Sequence, residues 1–188
     1  MNLEEIIRSR PDKTDLGTTA TWKLKHLYSI IKKLNPSLVI ESGTYTGNSL
    51  WLFKNSLNNI TLHSYELNYK NLKWRDKSIF YHNYDIEKDK NLYTPLQNDL
   101  IYFDDHQNQE KRLKWAYNSG FKHIIFDDNI PRKKLHFFGY PPVPTINMLI
   151  EDNKLPPYVI EVNNLKYDMS NPKGRNGGQT YLTYLKIK

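Results

Sequence analysis

Trp22, Leu24, Leu27, Ile30, Ile31 and Leu34 recur near the helical period, and Asn35-Pro36 closes the run, so the pattern predicts a helix over residues 21–34. Beyond it the period changes. Short apolar runs at 38–40, 60–65, 78–85, 99–103 and 122–126 read as strands, and each of the first, second, fourth and fifth is followed by an acid or a turn. Helical stretches are predicted at 48–56, 70–76, 109–118 and 145–152, with Ser119-Gly120 ending the third of them. Two last strands are expected at 158–165 and 180–187, with Gly174 and Gly177-Gly178 in the connection between them. Strands alternating with helices, then a strand pair, predict an α/β fold: a doubly wound, mostly parallel sheet with an antiparallel edge strand. No linker or repeat divides the chain, so residues 1–188 are read as a single domain. Residues 1–19 are expected to be an irregular N-terminal segment, because Arg10-Pro11 and Asp12 through Gly17 supply turn chemistry.

Composition narrows the function classes. With 188 residues, 38% of them apolar, the chain is large enough for a well-buried core. No run approaches the length of a membrane span and the first residues lack the form of a signal peptide, so no membrane partner and a cytoplasmic location are expected. The absence of cysteine excludes disulfides and thiolate metal sites, which leaves oxygen and histidine as metal ligands. The net charge of +7 is spread over Lys32-Lys33, Arg132-Lys133-Lys134, Lys186 and Lys188 without a long basic stripe. A solvated surface explains it better than a nucleic-acid interface.

The most informative segment is Glu41-Ser42-Gly43-Thr44-Tyr45-Thr46-Gly47-Asn48-Ser49. An apolar strand runs into a turn with two glycines and then into a helix start, where a ligand can approach the backbone. The spacing is neither the dinucleotide fingerprint nor a phosphate loop. A strand-to-helix connection with no ligand is the plain alternative. The pattern resembles motif I of the class I S-adenosylmethionine (SAM) dependent methyltransferases, whose fold is Rossmann-like. That resemblance implies SAM as cofactor: Gly43, Thr44, Gly47 and Ser49 would form its turn, and Glu41 would engage the methionine amino group. Glu66, at the end of the second strand and one strand-helix-strand unit further on, would take the ribose hydroxyls. Asp85, after the third strand, would contact the adenine or else lie exposed, and Asp104 would border the cofactor.

Acids gather at two further strand ends, Asp104-Asp105-His106 and Asp127-Asp128-Asn129. Carboxylates converging on one crevice repel unless a cation neutralises them, and a hard ion such as Mg²⁺ or Mn²⁺ suits oxygen ligands. The paired segments look like the metal site of the cation-dependent O-methyltransferases: the catechol, caffeoyl-coenzyme-A, macrocin-type sugar and cephalosporin-hydroxylase-like enzymes. Two registers stay open. One uses Asp104, Asp127 and Asp128, the preferred set because Phe103 and Phe126 then end their strands equivalently; the other uses Asp105, Asp128 and Asn129. The lysine base of the catechol enzymes is missing, since Gln107, Asn108 and Gln109 stand there. His106 occupies the place of the acidic base in the sugar enzymes and is the candidate catalytic residue; its plainer role is to orient a carboxylate. For the acids, the plainer role is capping a helix.

The expected function is SAM-dependent, metal-assisted O-methylation of a sugar, glycan or other small-molecule hydroxyl. Phe137, Phe138 and Tyr140 could wall the acceptor, and Arg10, Asp12 and Thr18-Thr19 could close it from the N-terminus. Two rivals remain: a nucleic-acid (RNA) methyltransferase or RNA-binding module, and a catalytically silent scaffold with the same sheet.

Overall fold

The computed structural model describes residues 1–14, 21–89, 93–132, 144–168 and 179–188. The segments holding Thr18-Thr19, Phe137, Phe138, Tyr140, Gly174 and Gly177-Gly178 lie outside the described residues.

Seven strands form one sheet: β1 (Leu38–Ser42), β2 (Thr61–Tyr65), β3 (Ile79–His82), β4 (Leu100–Phe103), β5 (His123–Phe126), β6 (Val159–Asp168) and β7 (Gln179–Ile187). Their spatial order is β3-β2-β1-β4-β5-β7-β6. The first five run parallel, and β7 lies antiparallel between β5 and β6. This is the doubly wound, mostly parallel sheet with an antiparallel edge that the pattern predicts. The chain reverses direction outward from β1 and β4, so the crevice forms beyond their carboxyl ends.

The pleat sorts the residues with period two. Val39, Leu100, Tyr102 and Ile125 face α2 (Thr21–Leu34) and α3 (Asn48–Ser56), packing with Leu24, Leu27, Ile31, Leu50 and Phe53. Ile40, Ile101, Phe103, Ile124 and Phe126 face the other way, against Leu113 and Ala116 of α4 (Gln109–Asn118) and Ile146 and Leu149 of α5 (Ile146–Glu151). The same parity carries past the strand ends, and the placement of the acids below depends on it.

Two expectations need correction. The N-terminal segment is not irregular throughout, because Leu3–Ser9 forms a helix, α1. The Asn2 side chain accepts a hydrogen bond from the Glu5 N–H and the Glu5 carboxylate accepts one from the Asn2 N–H, a reciprocal cap, while Ile6 is fully buried. The helix predicted at 70–76 reduces to a single 3-10 turn, Tyr69–Asn71. Beyond it the chain is fastened to the glycine turn: Lys73 N–H donates to the Thr46 carbonyl and Trp74 Nε1 to the Gly47 carbonyl. Those bonds take the place of helical ones. Between β3 and β4 the described residues hold only a 3-10 turn, Ile86–Lys88, and on the neighbouring strands His82 of β3 stacks on His63 and Tyr65 of β2. No helix among the described residues is long and apolar enough to cross a membrane.

Candidate functional site

A cleft of about 510 Å³ opens at the carboxyl ends of the parallel strands, bordered by Gly43, Tyr45, Glu66, Asp85, Asp104 and His106, among others. The backbone of the glycine turn forms its floor. Gly43 has φ +92°, and a Cβ there would sit 2.2 Å from the Asp104 carbonyl oxygen. Only glycine lets β1 come this close to the end of β4. Tyr45 holds a positive φ of 46° at the tip of the turn, half exposed, and its N–H donates to Glu66 Oε2 at 3.1 Å. Glu66 thus faces the cleft from the end of β2, tied to the turn by one oxygen.

The rest of the turn is built inward. Glu41 is fully buried and takes the Thr44 hydroxyl on one oxygen and the Ser49 hydroxyl on the other. Burial, opposed by those two hydroxyls, pushes its carboxyl up to about 7. Glu41, Thr44, Gly47 and Ser49 therefore shape the turn from behind and do not border the cleft. For Glu41 that differs from the direct grip on a methionine amino group expected from the sequence.

Asp85 reaches the cleft but is engaged. Both of its oxygens accept from Arg112, at 2.9 and 2.8 Å, and this pairing holds the carboxyl below the usual aspartate range. Arg112 also donates through Nε to Asp105 at 2.9 Å. Burial raises Asp105, with Arg112 and the Ser42 hydroxyl opposing. A buried guanidinium thus ties together the acids that follow β3 and β4.

Parity then separates the neighbouring acids. Asp105 falls on the α4 side with Arg112, whereas Asp104 and Asp127 fall on the α2 side. There Lys23 of α2, 2% exposed, meets both of them: its Nζ lies 3.3 Å from Asp104 Oδ2 and in direct contact with Asp127 Oδ2. Tyr102 adds a hydroxyl hydrogen bond to Asp104 Oδ2 at 3.1 Å. The second oxygens, Asp104 Oδ1 and Asp127 Oδ1, are buried with no hydrogen-bond partner. Burial drives Asp104 well above the usual carboxylate range; Lys23 opposes this, while Asp127 and Asp128 add to it. For Lys23 burial disfavours the ammonium, but Asp104, Asp127 and Asp128 outweigh it and lift the group above the usual lysine range.

His106 and Asp128 complete the cluster. His106 Nε2 lies 2.6 Å from Asp128 Oδ2. Burial disfavours its imidazolium, but Asp128 overrides it and the histidine titrates above its ordinary value. Both residues hold positive φ, 55° and 50°, a strained backbone of the kind found where side chains are aimed for a purpose. Asp104, His106 and Asp128 each bring one ligand-capable atom to within 4.8 Å of the others.

The structure thus distributes the expected metal ligands unevenly. In the preferred register, Asp104 and Asp128 converge but Asp127 is clasped by Lys23. In the other register, Asp105 belongs to Arg112 and Ser42. Asn129, fully buried, bonds Thr183 and accepts from the Asn147 N–H, fastening α5 to the end of β5. Two residues had no counterpart in the sequence reading, Lys23 and Arg112. Each had a signal: Lys23 shares the buried stripe of Leu27, Ile31 and Leu34, and Arg112 that of Gln109, Leu113 and Ala116. A lone cation on an apolar helical stripe needs a buried acid.

No protein-family profile matches the chain, and no curated protein matches it. Solved structures do. An O-methyltransferase from Bacillus cereus in complex with SAH is 20% identical, with 99% of this chain and 90% of that one covered at a TM-score of 0.63. The O-methyltransferase TomG from Streptomyces achromogenes, involved in tomaymycin synthesis and in complex with SAM, is 13% identical over 99% and 89%, TM-score 0.65. CmcI with Mg and SAM is 17% identical over 86% and 70%, TM-score 0.52. At these identities the likeness is one of fold. The chain shares the Rossmann-like fold of these O-methyltransferases.

Proposed function

We propose that this protein is a SAM-dependent O-methyltransferase acting on a small-molecule hydroxyl, with a sugar or glycan hydroxyl as the acceptor class. One observation carries the reading: a cleft at the strand ends brings the Gly43 turn and the Glu66 carboxylate together with Asp104 and His106. Glu66 accepts from the Tyr45 and Asn68 N–H groups, one on each oxygen, and each oxygen keeps a lone pair with which to accept from a ribose hydroxyl. The turn at Gly43 gives the methionine part close access to the backbone.

The donor set also suits a divalent ion. The carboxyls of Asp104, Asp127 and Asp128 outnumber the cations set among them, and two buried carboxylate oxygens lack partners. Asp104 and Asp128 would hold Mg²⁺ or Mn²⁺; when bound, it would polarise the acceptor hydroxyl and lower its pKa. His106, in the same group and paired through Nε2 with Asp128, is the residue placed to take up the hydroxyl proton. A sugar hydroxyl is weakly acidic and needs both aids. Gln107, Asn108 and Gln109 follow β4 where catechol enzymes have a lysine, which favours the sugar over the catechol.

Calorimetry with SAM and its demethylated product tests the first step, and folded protein should bind both. Transfer of labelled methyl from SAM to nucleotide sugars and simple glycosides should follow, lost in His106→Ala and in excess chelator. No SAM binding at millimolar ligand removes the reading; strong turnover of catechols without His106 removes the acceptor class.

A further inference from the structure

The lysine beneath the acids is the feature that the resemblance to O-methyltransferases leaves unexplained. Lys23 comes from α2, far in sequence from either acid, and only 2% of its surface is exposed. An ammonium that deep is tolerated only if its charge is used. It spends contacts on Asp104 Oδ2 and Asp127 Oδ2 and leaves Asp104 Oδ1 and Asp127 Oδ1 without donors. It lies behind the lining of the cleft, reaching it through Asp104.

We propose that Lys23 is a permanent internal cation of the site, a positioning residue that withdraws Asp127 from metal binding and restricts the site to one divalent ion between Asp104 and Asp128. This rests on the function proposed above. A geometric observation supports it independently of any comparison: Lys23 contacts Asp127 more closely than Asp104, while His106 and Asp128 group with Asp104. Without Lys23, His106 would be the cation left in the cluster and Asp127 would be free as a third ligand.

The consequence is unusual for a buried ion pair, because breaking it should strengthen metal binding. Mn²⁺ binding to the full chain, followed by calorimetry or by the electron paramagnetic resonance of the free ion, tests this without SAM and without turnover. Lys23→Met should bind Mn²⁺ at least about tenfold more tightly than the wild type, because one positive charge is removed and Asp127 is freed. The double variant Lys23→Met with Asp127→Asn restores the charge balance and the two-carboxylate set, and should return close to wild-type affinity. Should the single lysine variant not fold in metal-free buffer, Asp127→Asn alone decides: it should retain Mn²⁺ binding at least about tenfold better than Asp128→Asn. Unchanged or weaker binding in folded Lys23→Met overturns the proposal, as do equal losses in the two aspartate variants or no Mn²⁺ binding by the wild type. SAM binding is measured separately, so failure here leaves the cofactor reading intact.

Discussion

Gly43→Ala is the sharpest probe of how the site is built. The new methyl carbon would lie 2.2 Å from the Asp104 carbonyl oxygen, 2.4 Å from its carbon and 2.7 Å from Asp105 Cα. All three are backbone atoms, so no side chain can rotate away. The two backbones are also tied, with Gly43 N–H bonded to the Tyr65 carbonyl at 2.9 Å and Asp104 N–H to the Ser42 carbonyl at 2.7 Å. A left-handed backbone costs a non-glycine residue about 1–2 kcal/mol, and overpacking a tight contact about 1–3 kcal/mol more. The sum, about 2–5 kcal/mol, is a large share of the roughly 5–15 kcal/mol that stabilises a typical domain. Gly120→Ala is the control. It has a similar φ of +86° but its Cβ would meet nothing nearer than Pro95 Cδ at 3.6 Å, so it carries the backbone cost without the clash. Equilibrium urea unfolding of both variants gives the difference directly, provided the m-value is unchanged. Gly43→Ala should be less stable than Gly120→Ala by at least about 1 kcal/mol, and it alone should weaken SAM binding. Equal stabilities would refute the close-approach argument.

Arg112→Met strips the counter-charge from Asp85 and Asp105 together and should destabilise by about 3–5 kcal/mol at neutral pH. The deficit should shrink as pH falls and these carboxylates take up protons; a deficit that is the same at pH 5 and pH 8 by urea unfolding would contradict the electrostatic account. Glu41 gives the opposite pH signature. Its folded value, about 7, lies above the ordinary 4.5, so the folded state holds the extra proton between those values. Its contribution is therefore largest below pH 4.5 and declines as pH rises through 7, by about 3 kcal/mol. Glu41→Gln keeps the shape and removes that decline, which a pair of unfolding curves at pH 5 and pH 8 would register.

How much of this was legible in the chain depends on range. The helices at Thr21–Leu34, Asn48–Ser56 and Gln109–Asn118 were readable because their apolar spacing and end signals lie within a few residues of one another. The parallel strands and the glycine turn were readable for the same reason. At the N-terminus, Asn2 and Glu5 carried the capping signature of α1, but turn residues nearby outweighed it. At 70–76 a local preference lost to bonds made with Thr46 and Gly47, more than twenty residues earlier.

For the site, the sequence determined that acids stand at the ends of β4 and β5 and that a tight turn faces them, because strand ends and glycines are local facts. Even the parity that sends Asp104 and Asp105 to opposite faces follows from the two-residue pleat. What each acid meets was decided only by the tertiary structure. Lys23 is 81 residues from Asp104 and 104 from Asp127, and Asp85 is 27 from Arg112. Such pairs depend on which helix covers which face of the sheet. No window along the chain contains that choice, since it is made when the two apolar faces are buried and the charges carried in with them must find one another.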